Sequence, residues 1–107
     1  MVVPRGFVHQ TELAAEVERA KLKLGPSVVR VKHSIGDDMS GEPAIYFRIV
    51  LTDAASNEET LAEVTGQISK ILFDELLPYE NWGLTPYFSF RSQSEQAKRD
   101  VLDTNWA

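Results

Sequence analysis

The sequence predicts an α+β fold, a two-layer α/β sandwich in the order α-β-β-α-β plus a short C-terminal helix. Its three-stranded mixed sheet should carry helices on one face. Three observations predict this. Residues 28–35, 44–52 and 85–92 alternate apolar and polar side chains with the period of two that a half-buried strand requires. Two longer stretches repeat apolar residues every three or four positions, the period of an amphipathic helix. Gly25-Pro26, Pro78 and Gly83 punctuate the boundaries between them.

The first helix is expected over residues 12–24, with Thr11 as N-cap and Leu13, Val17, Ala20 and Leu24 on its buried side. Gly25 closes it and Pro26 prevents its continuation. Ahead of it, Phe7 and Val8 leave room for a short frayed strand. In the first strand Val29, Val31, His33 and Ile35 take one side, and Val28, Arg30, Lys32 and Ser34 the other. The polar link 36–42 leads to the second strand, whose Ile45, Phe47, Ile49 and Leu51 point one way. A hairpin symmetric about that link sets Arg30 opposite Arg48 and Lys32 opposite Tyr46. A slip of one residue would reverse the faces.

Ser56-Asn57-Glu58-Glu59 has the Ser-x-x-Glu form of a capping box, so the second helix is expected from there to about residue 77. Leu61, Val64, Ile68, Ile71, Leu72 and Leu76 form its apolar stripe. Residues 79–83 read as a loop with Trp82 folded over the core edge. The third strand follows, with Phe88 and Phe90 inward and Tyr87, Ser89 and Arg91 outward. Pro86 lacks the N–H that a central strand needs, which limits this strand to an edge or Pro86 to its first residues. Ser92-Gln93-Ser94-Glu95 repeats the capping-box form and should start the short last helix, carrying Val101 and Leu102.

A chain of 107 residues builds one hydrophobic core, so 1–107 is expected to be a single domain, with 1–9 and 103–107 as flexible flanks. No apolar run approaches the roughly 20 residues that span a bilayer. The first residues lack the extended apolar stretch of a signal peptide, which makes the cytoplasm the expected compartment. The absence of cysteine excludes disulfides, thiolate metal sites and thiol catalysis.

The most informative functional feature is the polar side of the expected sheet. It collects Arg30, Lys32, Tyr46, Arg48, Tyr87 and Arg91. The chain carries a net charge of −5, so four cations on one face leave −9 elsewhere. Like charges facing each other across strands oppose folding, which suggests that the arrangement serves something else. Tyrosine and arginine are enriched in protein-binding hot spots. They also suit single-stranded nucleic acid, where aromatic rings stack on bases and cations hold phosphates. A solvated face whose tyrosines merely favour strands is the plain alternative. Trp106 is either a frayed end or an anchor for a partner.

Other constellations are weaker. Asp37, Asp38 and Glu42 crowd the link, but they lack the spacing of a calcium loop and suit an ordinary turn. Asp53 lies at the far end of the second strand and cannot join them. His33 on the apolar side is expected to satisfy itself with a carbonyl rather than act as a base. No nucleophile elbow or phosphate loop is present. The expectation is therefore no catalytic residue, no metal and no cofactor.

Gly41-Glu42-Pro43-Ala44, and Pro86-Tyr87-Phe88-Ser89-Phe90-Arg91-Ser92-Gln93-Ser94-Glu95 with the three residues before it, resemble segments of small bacterial α/β proteins found near genes for HEPN-type proteins, a group that includes toxin components. That resemblance implies a partner protein and an accessory or antitoxin-like role, and carries over no catalytic residue. The α-β-β-α-β order is also similar to the cytosolic domain of cation-diffusion transporters, whose histidine-rich ligands are missing here. The reading as a whole is a protein-interaction or accessory domain, self-associating through the polar sheet face. A single-stranded nucleic-acid module using the same face is the alternative.

Overall fold

The sheet is held from one side by two helices whose apolar stripes the sequence spaces to meet it. In the computed structural model, which describes residues 3–99, the elements are α1 (Arg5–Val8), α2 (Gln10–Lys21), β1 (Val28–Asp37), β2 (Pro43–Leu51), α3 (Glu58–Leu76), α4 (Pro78–Trp82), β3 (Thr85–Ser92) and α5 (Gln93–Arg99). The strand order is β1-β2-β3, with β1 and β2 antiparallel and β2 and β3 parallel. The fold is thus the expected α+β arrangement with a mixed three-stranded sheet. The parallel step from β2 to β3 is made through α3 and α4.

Leu13, Val17 and Ala20 of α2 and Ile68, Leu72 and Leu76 of α3 meet Val31, Ile45, Phe47, Ile49 and Leu51 of the sheet in one buried cluster. Phe47, on the central strand, is 1% exposed and stacks on Phe88 of β3 at 5.3 Å between ring centroids. Burying one such side chain stabilises the fold by about 1.5–3 kcal/mol. Trp82 and Leu84 close the core at the α4 end. There Arg5 lies 4.9 Å over the Trp82 ring, and Gly6 packs so closely that an added Cβ would come within 2.5 Å of the Leu84 side chain. Among the described residues, no helix is long and apolar enough to cross a membrane.

Several boundaries differ from expectation for identifiable reasons. Residues 5–8 form a helical turn rather than a strand, closed by the His9 N–H donating to the Arg5 carbonyl at 2.8 Å. That turn runs almost directly into α2, so Thr11 lies inside the helix and His9 takes the cap position without a side-chain cap bond. α3 is capped by Asn57, whose side chain accepts from the Glu59 N–H at 3.0 Å. Ser56 is not the cap because its hydroxyl donates to the Thr52 carbonyl instead. Residues 78–82 are helical, not a loop: Leu77 adopts a left-handed conformation (φ 43°) that ends α3, and Pro78 starts α4 at once.

The second capping box does form. Ser92 Oγ accepts from the Glu95 N–H at 3.1 Å, and Glu95 Oε1 accepts from the Ser92 N–H at 3.4 Å. Asp53 also accepts from the Ser94 N–H and hydroxyl, tying the start of α5 to the end of β2 and holding its own carboxyl below the usual range. Val101 and Leu102, expected on this helix, lie outside the described residues.

Candidate functional site, the polar face of the sheet

The hairpin pairs two residues further on than symmetry about residues 36–42 would place it. Lys32 lies opposite Arg48, and Arg30 opposite Val50, in place of the expected Arg30–Arg48 and Lys32–Tyr46 pairs. Gly36 and Asp37 join β1 and pair with Ala44 and Pro43, so the turn contracts to residues 38–42. Asp38 closes that turn: its N–H donates to the Glu42 carbonyl at 2.8 Å, and Gly41 supplies the positive φ of 84°. A shift of two residues preserves which face each side chain takes. Arg30, Lys32, Tyr46, Arg48, Tyr87 and Arg91 therefore share one face, in register with Ser34, Val50 and Ser89.

At its other end β1 carries a bulge between Val28 and Arg30. Val28 packs on the core and Val29 is 48% exposed, the reverse of what strict alternation predicts. The extra residue absorbs the reversal, so the faces from Arg30 onward stand as expected.

The face is polarised along the strands. Lys32, Arg48 and Arg30 occupy its far half. Near the hairpin, the Tyr46 and Tyr87 rings stack at 5.4 Å and 19°. Both hydroxyls reach the turn: Tyr46 donates to the Asp37 carbonyl at 3.0 Å, and Tyr87 to Asp38 Oδ2 at 2.8 Å. Asp38 Oδ1 accepts from the Ser40 hydroxyl at 2.7 Å and from the backbone N–H groups of Ser40 and Glu42 at 2.9 and 3.0 Å. The Ser40 hydroxyl first, then Tyr87 and the Glu42 amide, lower the Asp38 pKa to about 2. The same bond to Asp38 raises that of Tyr87. These bonds occupy Asp38 from within the chain. No group of three metal-ligating side chains lies together among the described residues.

The cations are treated differently on the two layers. Arg5, Arg19, Lys21, Lys23 and Lys70 each lie within 3.6 Å of a carboxylate. Arg30, Lys32 and Arg48 have no such partner among the described residues, and Arg30 Nη2 and Arg48 Nε are buried donors without an acceptor. Leaving a buried donor unsatisfied costs about 1–3 kcal/mol. Arg91 donates to Gln96 Oε1 of α5 at 3.3 Å, and this contact covers the end of the face beside buried Val50.

His33 sits on the core face opposite Phe47, half-buried, and makes no side-chain hydrogen bond among the described residues. The expected carbonyl partner is not found. Burial, and next the charge of Lys21, push its pKa down, against a smaller upward pull from Glu18. Trp106 lies outside the described residues. Sequence reasoning missed the latch between Asp38 and Tyr87, because 49 positions separate the two residues and only the parallel pairing of β3 with β2 brings them together. Comparison with family models, curated proteins and solved structures found no match to the chain.

Proposed function

We propose that this chain is a non-catalytic protein-interaction domain that docks its polar sheet face on an acidic protein surface. The observation that carries the proposal is the row of Arg30, Lys32 and Arg48 left without carboxylates among the described residues while the helical layer pairs Arg5, Arg19, Lys21, Lys23 and Lys70. An anionic partner removes the repulsion between Lys32 and Arg48. A rotation of either guanidinium toward that partner also recovers its unsatisfied donor.

A second copy can supply the acidic surface. Asp38 and Glu42 lie at the hairpin end of the face and the cations at the other. Two copies face to face, related by a half-turn, set each acidic end over a basic one with the tyrosines between. An accessory or antitoxin-like role beside a HEPN-type protein belongs to the same class of function, with the acidic surface on that partner.

Single-stranded nucleic acid is the competing occupant, supported by the Tyr87 ring, 42% exposed beside the cations. The stack on Tyr46 and the tethered hydroxyls count against it, because only the outer ring face is left for a base. Light scattering at low and high salt, on the wild type and on Arg48→Glu, tests the proposal. We expect face-to-face association, read as mass gained at low salt over the mass held at about 0.5 M salt, where exposed charges are screened, and that gain is lost in the variant. A mass that does not rise at low salt, in a protein that also fails to bind acidic proteins, refutes it, and a mobility shift with single-stranded RNA or DNA in its place selects the nucleic-acid reading.

A further inference from the structure

We propose that a second copy of this chain adds to the outer edge of β3, antiparallel about a two-fold axis at Ser89, turning each three-stranded sheet into half of a continuous six-stranded one. This goes beyond the docking function above, since it uses the edge of the sheet and not its face.

The two outer strands differ in how they are protected. β1 carries the bulge at Val29 and the exposed cation Lys32, both of which hinder strand addition. β3 is also at the edge among the described residues, yet residues 87–91 form an unbroken strand with no proline or bulge, and their one charged side chain, Arg91, is half-buried against Gln96 where Lys32 is exposed. Pro86 confines new pairing to those five residues, a length of about 17 Å.

Among the described residues the core is also thinner on this side. Phe47 and Ile49 on β2 are fully buried, whereas Phe88 and Phe90, their neighbours in register on β3, remain half-buried. Phe90 lines a groove of about 640 Å³ together with Leu61, Ala62 and Thr65 of α3. An added strand would extend the sheet under this groove and shield both phenylalanines.

The local sequence favours a second copy over an unrelated peptide, because it is self-complementary. A two-fold axis at Ser89 sets Phe88 opposite Phe90 of the other copy on the core side, twice. On the polar side it sets Tyr87 opposite Arg91 of the other copy. The Tyr87 hydroxyl stays on Asp38 at 2.8 Å and the Arg91 guanidinium on Gln96 at 3.3 Å, so what each copy offers the other here is a tyrosine ring against the aliphatic stem of an arginine. The same operation keeps both polar faces on one side, giving the dimer a single basic surface of twice the width.

The absence of native cysteine makes a clean test possible. Ser89→Cys in the full chain places two thiols at the axis. Under mild oxidation at about 0.5 M salt, which screens face docking, it should form disulfide dimers at least several-fold faster than Ser34→Cys, which lies mid-face on β1. Wild-type amide exchange at residues 87–91 should slow as protein concentration rises, with a doubled mass by light scattering at high salt. A monomeric mass at every concentration, equal cross-linking of the two cysteine variants, or concentration-independent exchange in 87–91 would each overturn the proposal. Face docking, which brings Ser34 and Ser89 of one polar face against their counterparts alike, would cross-link both cysteine variants at low salt and neither at high salt.

Discussion

Asp38 accepts four hydrogen bonds, three from its own turn and one from Tyr87 on the far edge strand. That combination fixes the hairpin, and through Tyr87 it fixes the tyrosine pair at the centre of the face. Because these bonds favour the carboxylate, the folded-state pKa lies below the unfolded one. The group therefore contributes stability that is complete above the unfolded value near 3.8 and is lost as pH falls toward about 2. Asp38→Asn should lower the thermal midpoint at pH 7, and the gap to wild type should narrow as pH drops from about 4 to about 2. Thermal melts followed by circular dichroism across that range provide the check. A gap that stays constant would mean the carboxylate charge contributes nothing.

The helix boundaries show what a local pattern can and cannot specify. Ser92 to Glu95 and Ser56 to Glu59 have the same capping-box form, yet only the first closes. The difference is tertiary: Ser56 follows a turn in which the Thr52 carbonyl captures its hydroxyl, leaving Asn57 to cap α3. Asn57→Ala should cost about 1 kcal/mol, a drop of about 4–8 °C in Tm for a domain of this size. Ser56→Ala should cost less than half as much, and the pair of melts decides which residue is the cap. The positions of the three strands, the apolar stripes of α2 and α3 and the side chains that alternate along each strand could be read from periodicity alone, since each depends on spacing within one element. The hairpin register, the Val29 bulge, the helical turns at residues 5–8 and 78–82 and the Asp38–Tyr87 latch could not. Each depends on contacts between residues that the chain brings together only on folding.

Across the molecule, β2 separates two layers with different tasks, and neighbouring residues on it distinguish them. Phe47 is sealed between the sheet and the two long helices, at 1% exposure, whereas Tyr46 lies half-buried on the polar side. Phe47→Ala should open a cavity costing about 3–5 kcal/mol, a large part of the 5–15 kcal/mol that holds a domain of this kind together. Tyr46→Ala loses one ring stack and one hydrogen bond on a surface that water can reach, so it should cost about 1–2 kcal/mol. Urea unfolding should therefore shift its midpoint several times further for Phe47→Ala than for Tyr46→Ala, with similar slopes if both native states keep the same compactness. Association should follow the opposite order, because Tyr46 lies at the centre of the docking face and Phe47 does not touch it. If Tyr46→Ala unfolds the chain as readily as Phe47→Ala, the polar face is part of the folding core, and the lack of carboxylate partners for Arg30, Lys32 and Arg48 among the described residues would need another explanation.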